Sequence, residues 1–296
     1  MLVGGPSAQV GWPSAQPAQD DGVLAVDGGP RHGEINTMPV RPTSVSPPLK
    51  VYEIKLDRAA IDQMPPDARR NLFLFGHIAN EINTSYRLLN FSIQAEQTGD
   101  RITDMYADAR AITVLRFLIG TVFEGYLAVE RSIIKSPFGR DYLPHLTREG
   151  KESLARVREN LSNTRVISAL RNGFSFHFPN HEQLDQAYGR LPIDVDVSVY
   201  SGQHRHSSLY EMSHRLTLCG MLELVPDGNS MSDRAIMDVI VDDALDKTIA
   251  LSNFIEHLIT VLVERHNLSP EPMREVGSYD TLHTVNTFKI PPLLRS

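Results

Sequence analysis

An arginine followed at once by an amide and, a turn and a half later, by a histidine brings together the side chains that metal-free cleavage of a phosphodiester needs. The segment Ala169-Leu170-Arg171-Asn172-Gly173-Phe174-Ser175-Phe176-His177 holds such a set. Arginine stays charged and matches two phosphate oxygens with a planar fork. Histidine titrates near neutrality, so it can take a proton from a ribose 2′-hydroxyl or deliver one to a leaving group. Arg171 is therefore the candidate phosphate holder, His177 the candidate proton carrier, and Asn172 the residue that orients either by hydrogen bonds. Two other Arg and His pairs have similar spacing: Arg70, followed by Asn71, with His77, and Arg140, followed by Asp141, with His145. Arg140 and His145 fall in a proline-containing connection and are set aside. Arg70 and His77 lie within about 20° of each other on an ideal helix and remain secondary candidates, together with Asn80 and Glu81.

In these residues the chain resembles the HEPN superfamily, helical proteins whose nuclease members carry an Arg, a polar residue directly after it, and a His four to six residues further on. Arg171, Asn172 and His177 match that pattern. The resemblance implies a metal-independent endoribonuclease of toxin or phage-defence type, acting on RNA without a cofactor and held silent by an inhibitory protein partner. It further implies that a second copy of the same motif completes the site, hence a homodimer. The resemblance extends over the bundle from about Pro65 to His266. The other reading is a noncatalytic helical module that binds a protein partner or a nucleotide through the same surface.

Helical geometry bears on both. With Leu170 at 0° and about 100° per residue, Arg171 falls near 100°, Asn172 near 200° and His177 near −20°. His177 is then on the apolar stripe, as a satisfied core histidine would be, and Asn172 points away from the other two. A composite site between protomers, or a distortion at Gly173, would remove the difficulty. On the first long helix His77, Asn80, Glu81 and Thr84 form a polar stripe that reads as a solvated face, an interhelical network or a contribution to the site. His204, His206 and His214 cluster after the strand signal, but their spacing matches no metal pattern, and no metal site is expected. Cys219, flanked by Leu216, Leu218, Met221 and Leu222, reads as a small core residue.

The elements that position these groups are helical, and the expected fold class is all-α: an antiparallel helical bundle with at most a minor strand or hairpin. Pro65 and Pro66 open a first long helix running to about Gln97, with Leu74, Ile78, Ile82, Leu89 and Ile93 on one face. A second, from about Asp104 to Ser136, is apolar on several sides and reads as central and buried, with Pro137 ending it. Thr147 to Asn160 is amphipathic. Asn163 or Thr164 can cap a helix that reaches Phe178, where Pro179 stops it. His181 to Tyr188 is a short helix at most. Ile193 to Tyr200 alternates as a strand does, and Ser208 to Glu223 and Ser232 to His266 are helices.

The division into parts follows from composition. Residues 1–50 contain seven Gly and eight Pro and read as a disordered leader, residues 51–268 as the bundle, and residues 269–296 as a C-terminal tail. Twenty-nine Lys and Arg against thirty-six Asp and Glu give a net charge of −7, which argues against nonspecific coating of nucleic acid, and no DNA is expected as a partner. The basic residues of Arg148 to Arg171 form either a solvated face or a rim around an anion site. A single cysteine excludes a disulfide framework and fits a reducing cytoplasm. Arg116, Glu124 and Glu256 interrupt the apolar stretches, so no membrane span is expected, and the first residues lack a basic start followed by a continuous apolar stretch, so no secretion signal is expected.

Overall fold

Helix boundaries in this chain are set by a few capping residues, and the computed structural model shows each at work. It describes residues 49–93, 98–162, 165–175, 179–191, 198–201, 208–225 and 233–279. The chain divides into two compact units, one of residues 1–55 and 271–288, the other of residues 56–270 and 289–296. Within the first, strand β1 (Leu49–Glu53) pairs antiparallel with a strand formed by Arg274–Tyr279, Leu49 opposite Tyr279, with a register shift between Val51 and Tyr52. Ion pairs Lys50–Glu275 and Glu53–Arg274, each 2.9 Å, flank the ladder.

The second unit is the helical body. Asp57 caps α1 (Arg58–Gln63) by accepting from the Ala59 N–H at 2.9 Å. The first long helix is α2 (Pro66–Ile93). Its buried face is Leu72, Phe75, Ile82 and Leu89, with Ile78 half-buried. Of the expected face, Ile82 and Leu89 are buried and Ile78 half-buried, while Leu74 and, at the helix end, Ile93 are exposed and Phe75 is buried in place of Leu74. A turn through Gly99, in the left-handed region at φ 76°, leads to Asp100, whose carboxylate accepts from Thr103 and starts α3 (Arg101–Val129). This helix continues through a π turn, Glu130–Ile134, in which the Lys135 N–H reaches the Glu130 carbonyl. Pro137 ends it and also opens α4 (Pro137–Tyr142), capped by Ser136 and followed by a 3₁₀ turn, Leu143–His145. A Cβ on Gly139 would land on the Ile133 carbonyl, so only glycine permits α4 to close on the π turn.

The amphipathic stretch is α5 (Arg148–Ser162). The continuous helix expected up to Phe178 is instead α6 (Arg165–Leu170) followed by a second π turn, Arg171–Ser175. The proposed caps Asn163 and Thr164, and residues 176–178, lie outside the described residues. An Asn180–Gln183 capping box starts α7 (His181–Gly189). Of the strand expected over Ile193 to Tyr200, the described part is β2 (Val199–Ser201), which pairs with β3 (Ser208–Tyr210), so the next helix begins later than expected as α8 (Glu211–Glu223). The last helix, α9 (Asp233–Arg265), ends in a left-handed Asn267 at φ 49°, where Leu268 N–H returns to the Val263 carbonyl and Asn267 N–H to that of Glu264. In chain order the strand of Arg274–Tyr279 is β4.

The fold is an all-α bundle carrying two small two-stranded ribbons among the described residues. The ribbon of β1 and β4 was not expected, since the last segment reads as a tail. Arg110 lies over Phe91 while Gly125 meets Ile78, so α3 runs antiparallel to α2. Gly150 against His257 and Asn160 beside Asp246 make α5 antiparallel to α9. The core lies where α2, α3 and α9 meet, around Phe75, Leu118, Ile119, Val122, Leu251, Phe254 and Leu258. One helix among the described residues, Arg101–Ile134, is long and apolar enough to cross a membrane by length and composition alone, as the core helix of a bundle also is. Here Leu118, Ile119, Val122, Tyr126 and Val129 are buried in the bundle. Replacing Gly139 by alanine should lower the melting temperature, with a loss of about 1–3 kcal/mol from the forced shift of α4, readable by thermal denaturation.

Candidate functional site

The distortion that would bring Arg171 and Asn172 together is present. In the π turn Arg171–Ser175 each residue turns through less than in an α-helix, and the Arg171 Nη1 donates to Asn172 Oδ1 at 2.9 Å. The turn is fixed from below by Phe174, which is buried and packs on α8 where residue 220 is glycine. A Cβ at Gly220 would collide with the Phe174 ring. From α3, Arg116 Nε donates to the Phe174 carbonyl. A widened turn leaves carbonyls without a regular helical donor, and a guanidinium is well suited to take one.

The other end of the Arg171 guanidinium is also held. Its Nη2 donates to Glu124 Oε1 at 2.6 Å, and its plane lies 5.5 Å from the centroid of Phe123, both from α3. The Arg171 side chain is 25% exposed and that of Glu124 is 44% exposed, while Arg171 Nε is buried without a partner. An anion arriving here meets one edge of the guanidinium already turned to a carboxylate. Asn172 is exposed beside it.

One further group bears on this site that its sequence context did not single out as a proton carrier. His214 of α8 is largely enclosed; burial first, and then the charges of Arg215 and Arg116, hold its imidazole below the ordinary histidine range, with Glu211 opposing. Burial likewise lowers Arg116. Glu211 is itself buried and accepts from Arg215 Nε at 2.9 Å, with Arg101 Nη2 at 3.9 Å. The α3 and α8 surfaces around the π turn thus carry Arg116, Glu124 and His214, with Arg171 on the turn itself. Nothing in the sequence spacing links positions 116, 171 and 214. Arg116 is the link: it serves the π turn through the Phe174 carbonyl and acts on His214, because α3 contacts both the π turn and α8.

His177 lies outside the described residues, as do His204 and His206. Among the described residues no cluster of three or more His, Cys, Asp or Glu could hold a metal. Cys219 is half-buried on α8. The secondary candidates His77, Asn80 and Glu81 are exposed on α2 with Thr84, and Arg70, also exposed, pairs with Asp67 at 3.1 Å. Among the described residues no hydrogen bond or ion pair joins that stripe to Arg171 and Asn172. The pair that was set aside, Arg140 and His145, lies not in an irregular connection but on α4 and its 3₁₀ turn, and both line one cavity.

Comparison of the chain with protein-family models, with curated proteins and with solved structures finds no match.

The enclosure of His214 sets a pH dependence. Its folded-state pKa lies below the unfolded value near 6.5, so the unfolded chain binds the proton more readily and stability falls as pH drops through and below that value. His266, also held low by burial and Arg265, acts in the same direction, while Glu256, raised by burial, acts in the opposite one near the carboxylate range. Urea denaturation of His214→Gln should therefore show a shallower loss of stability between pH 7 and 5 than the parent protein. An unchanged slope would mean that His214 is not enclosed in solution.

Proposed function

We propose that the helical body is a HEPN-like endoribonuclease whose site is built on the π turn, with Arg171 binding the scissile phosphate, Asn172 holding Arg171 in place and His177 moving the proton. The observation that carries this reading is the Arg171–Asn172 hydrogen bond at the start of the π turn, which joins the two side chains although neighbouring helical positions point about 100° apart. Arg116, whose Nε serves the Phe174 carbonyl, adds positive charge beside the turn, where negative charge on the phosphoryl oxygens would develop. Cleavage proceeds through attack of the ribose 2′-hydroxyl on the adjacent phosphorus, leaving a 2′,3′-cyclic phosphate and a 5′-hydroxyl. The site is completed by a second copy, so the active form is a homodimer with isologous contacts around residues 165–180. In this reading the protein works in the cytoplasm as a toxin or defence effector, restrained by an inhibitory protein.

The grip of Glu124 on Arg171 favours the other reading, in which Arg171 clasps α3 to the π turn and the bundle binds a protein partner or a nucleotide without catalysis. RNA cleavage assays separate the two. Arg171→Ala and His177→Ala should each slow cleavage by about 10²-fold or more while circular dichroism stays helical. Arg171→Lys should be nearly as slow, because an ammonium keeps the charge and loses the fork. Cleavage should persist in excess EDTA. If the Arg70→Ala/His77→Ala double variant abolishes cleavage and the pair at 171 and 177 does not, the site is on α2; if neither matters, the noncatalytic reading holds.

A further inference from the structure

The cavity lined by Arg140 and His145 carries an inference independent of the ribonuclease reading. It lies between the first turn of α2, α4 with its 3₁₀ turn, and the last turn of α9, and encloses about 480 Å³, within the range of small-molecule sites. Its lining presents Arg140, Asp141, Tyr142, His145 and Arg265, with Asp67 from α2 and three proline rings as apolar wall.

The walls are fixed. Tyr142 stacks on Phe138 with ring centroids 4.3 Å apart, and its hydroxyl lies 2.8 Å from His266 Nε2. Gly139 seats α4 on the Ile133 carbonyl. The basic side chains, by contrast, are unspent: among the described residues Arg140 and His145 have no ion pair or side-chain hydrogen bond, and Arg265 contacts the face of Tyr142, 5.3 Å from its centroid. Of the two carboxylates, Asp67 is already engaged by Arg70. The lining therefore holds two guanidiniums without a carboxylate partner and one carboxylate, Asp141, without a cation among the described residues.

We propose that this cavity binds a small phosphate monoester of mononucleotide size, Arg140 and Arg265 taking the phosphate and Asp141 accepting from a hydroxyl or amino group on the ligand's body. Paired guanidiniums suit a phosphate dianion, and His145 adds a third polar group. The two aspartates argue for a monoester over a nucleic-acid strand, since carboxylates at the rim repel the flanking phosphates of a polyanion.

Isothermal titration of the full-length protein with AMP, inorganic phosphate, adenosine and a short oligoribonucleotide tests this. The expected result is binding of AMP, weaker binding of phosphate, none of adenosine, and a loss of AMP affinity of about 10-fold or more in Arg140→Gln, with a smaller loss in His145→Ala. Both positions are exposed, so both variants should melt as the parent does, and either alone suffices to read the effect. The proposal is overturned if AMP gives no heat up to about 5 mM, or if adenosine binds as well as AMP. It also fails if Arg171→Gln abolishes AMP binding while Arg140→Gln and His145→Ala do not, or if the oligoribonucleotide binds more tightly than AMP and is lost in Arg140→Gln.

Discussion

The helical body is organised by the need to cover α3. Its middle is apolar on more than one side, so it cannot lie on a surface with one stripe turned inward, and α2, α6, α8 and α9 all pack against it. Covering it also buries polar groups that it carries, most of which need a partner inside. Tyr126 shows how. Its hydroxyl donates to the Lys247 carbonyl of α9 at 3.1 Å and accepts from Asn160 of α5 at 3.0 Å, and burial drives its pKa well up. Lys247, with a side chain only 3% exposed, pairs with Asp243 one turn earlier. Three helices are thereby keyed to one another by groups that would each cost about 1–3 kcal/mol if left unpaired. Arg116 and Glu124, on the same helix, find their partners in the second π turn.

Seen this way the candidate site and the core are one construction. Arg116 reaches the Phe174 carbonyl, Glu124 reaches Arg171, and Phe174 fills the space that Gly220 leaves open on α8. The widened turn is what lets residues 171 and 174 face different neighbours at once: a charged pair towards α3, a ring into the core. A π turn costs hydrogen-bond geometry, and such turns recur at sites where a side chain has to be re-aimed.

Much of this was legible in the sequence because it is local. Helix periods, the prolines before α2 and α4, and the burial of α3 follow from spacing along ten to thirty residues. What stayed hidden depends on contacts between distant residues. Which of the neighbours Leu74 and Phe75 is buried on α2 is decided by which side α3 and α9 occupy. The β1–β4 ribbon joins segments that carry little strand signal of their own, and its cross-strand ion pairs link residues 221 and 225 positions apart. Arg140 and His145 were read as part of an irregular connection because of Pro137 and Pro144, yet proline at the first turn starts a helix as readily as it ends one. The π turn at Arg171 has no sequence signature beyond Gly173 and the π turn before α4 has none at all. Their cause lies in what packs against them.

The β1–β4 ribbon has a mechanical consequence. Leu49 lies opposite Tyr279, so the flanking segments 1–48 and 280–296 leave the ribbon from the same end. Tension applied through those two segments does not shear the ladder along its length, where all its hydrogen bonds would share the load. It peels the strands apart from the Leu49–Tyr279 end, one rung after another, meeting the Lys50–Glu275 pair first and the Glu53–Arg274 pair last. Geometry thus sets one rung at a time, rather than the whole ladder, against a pull from that end.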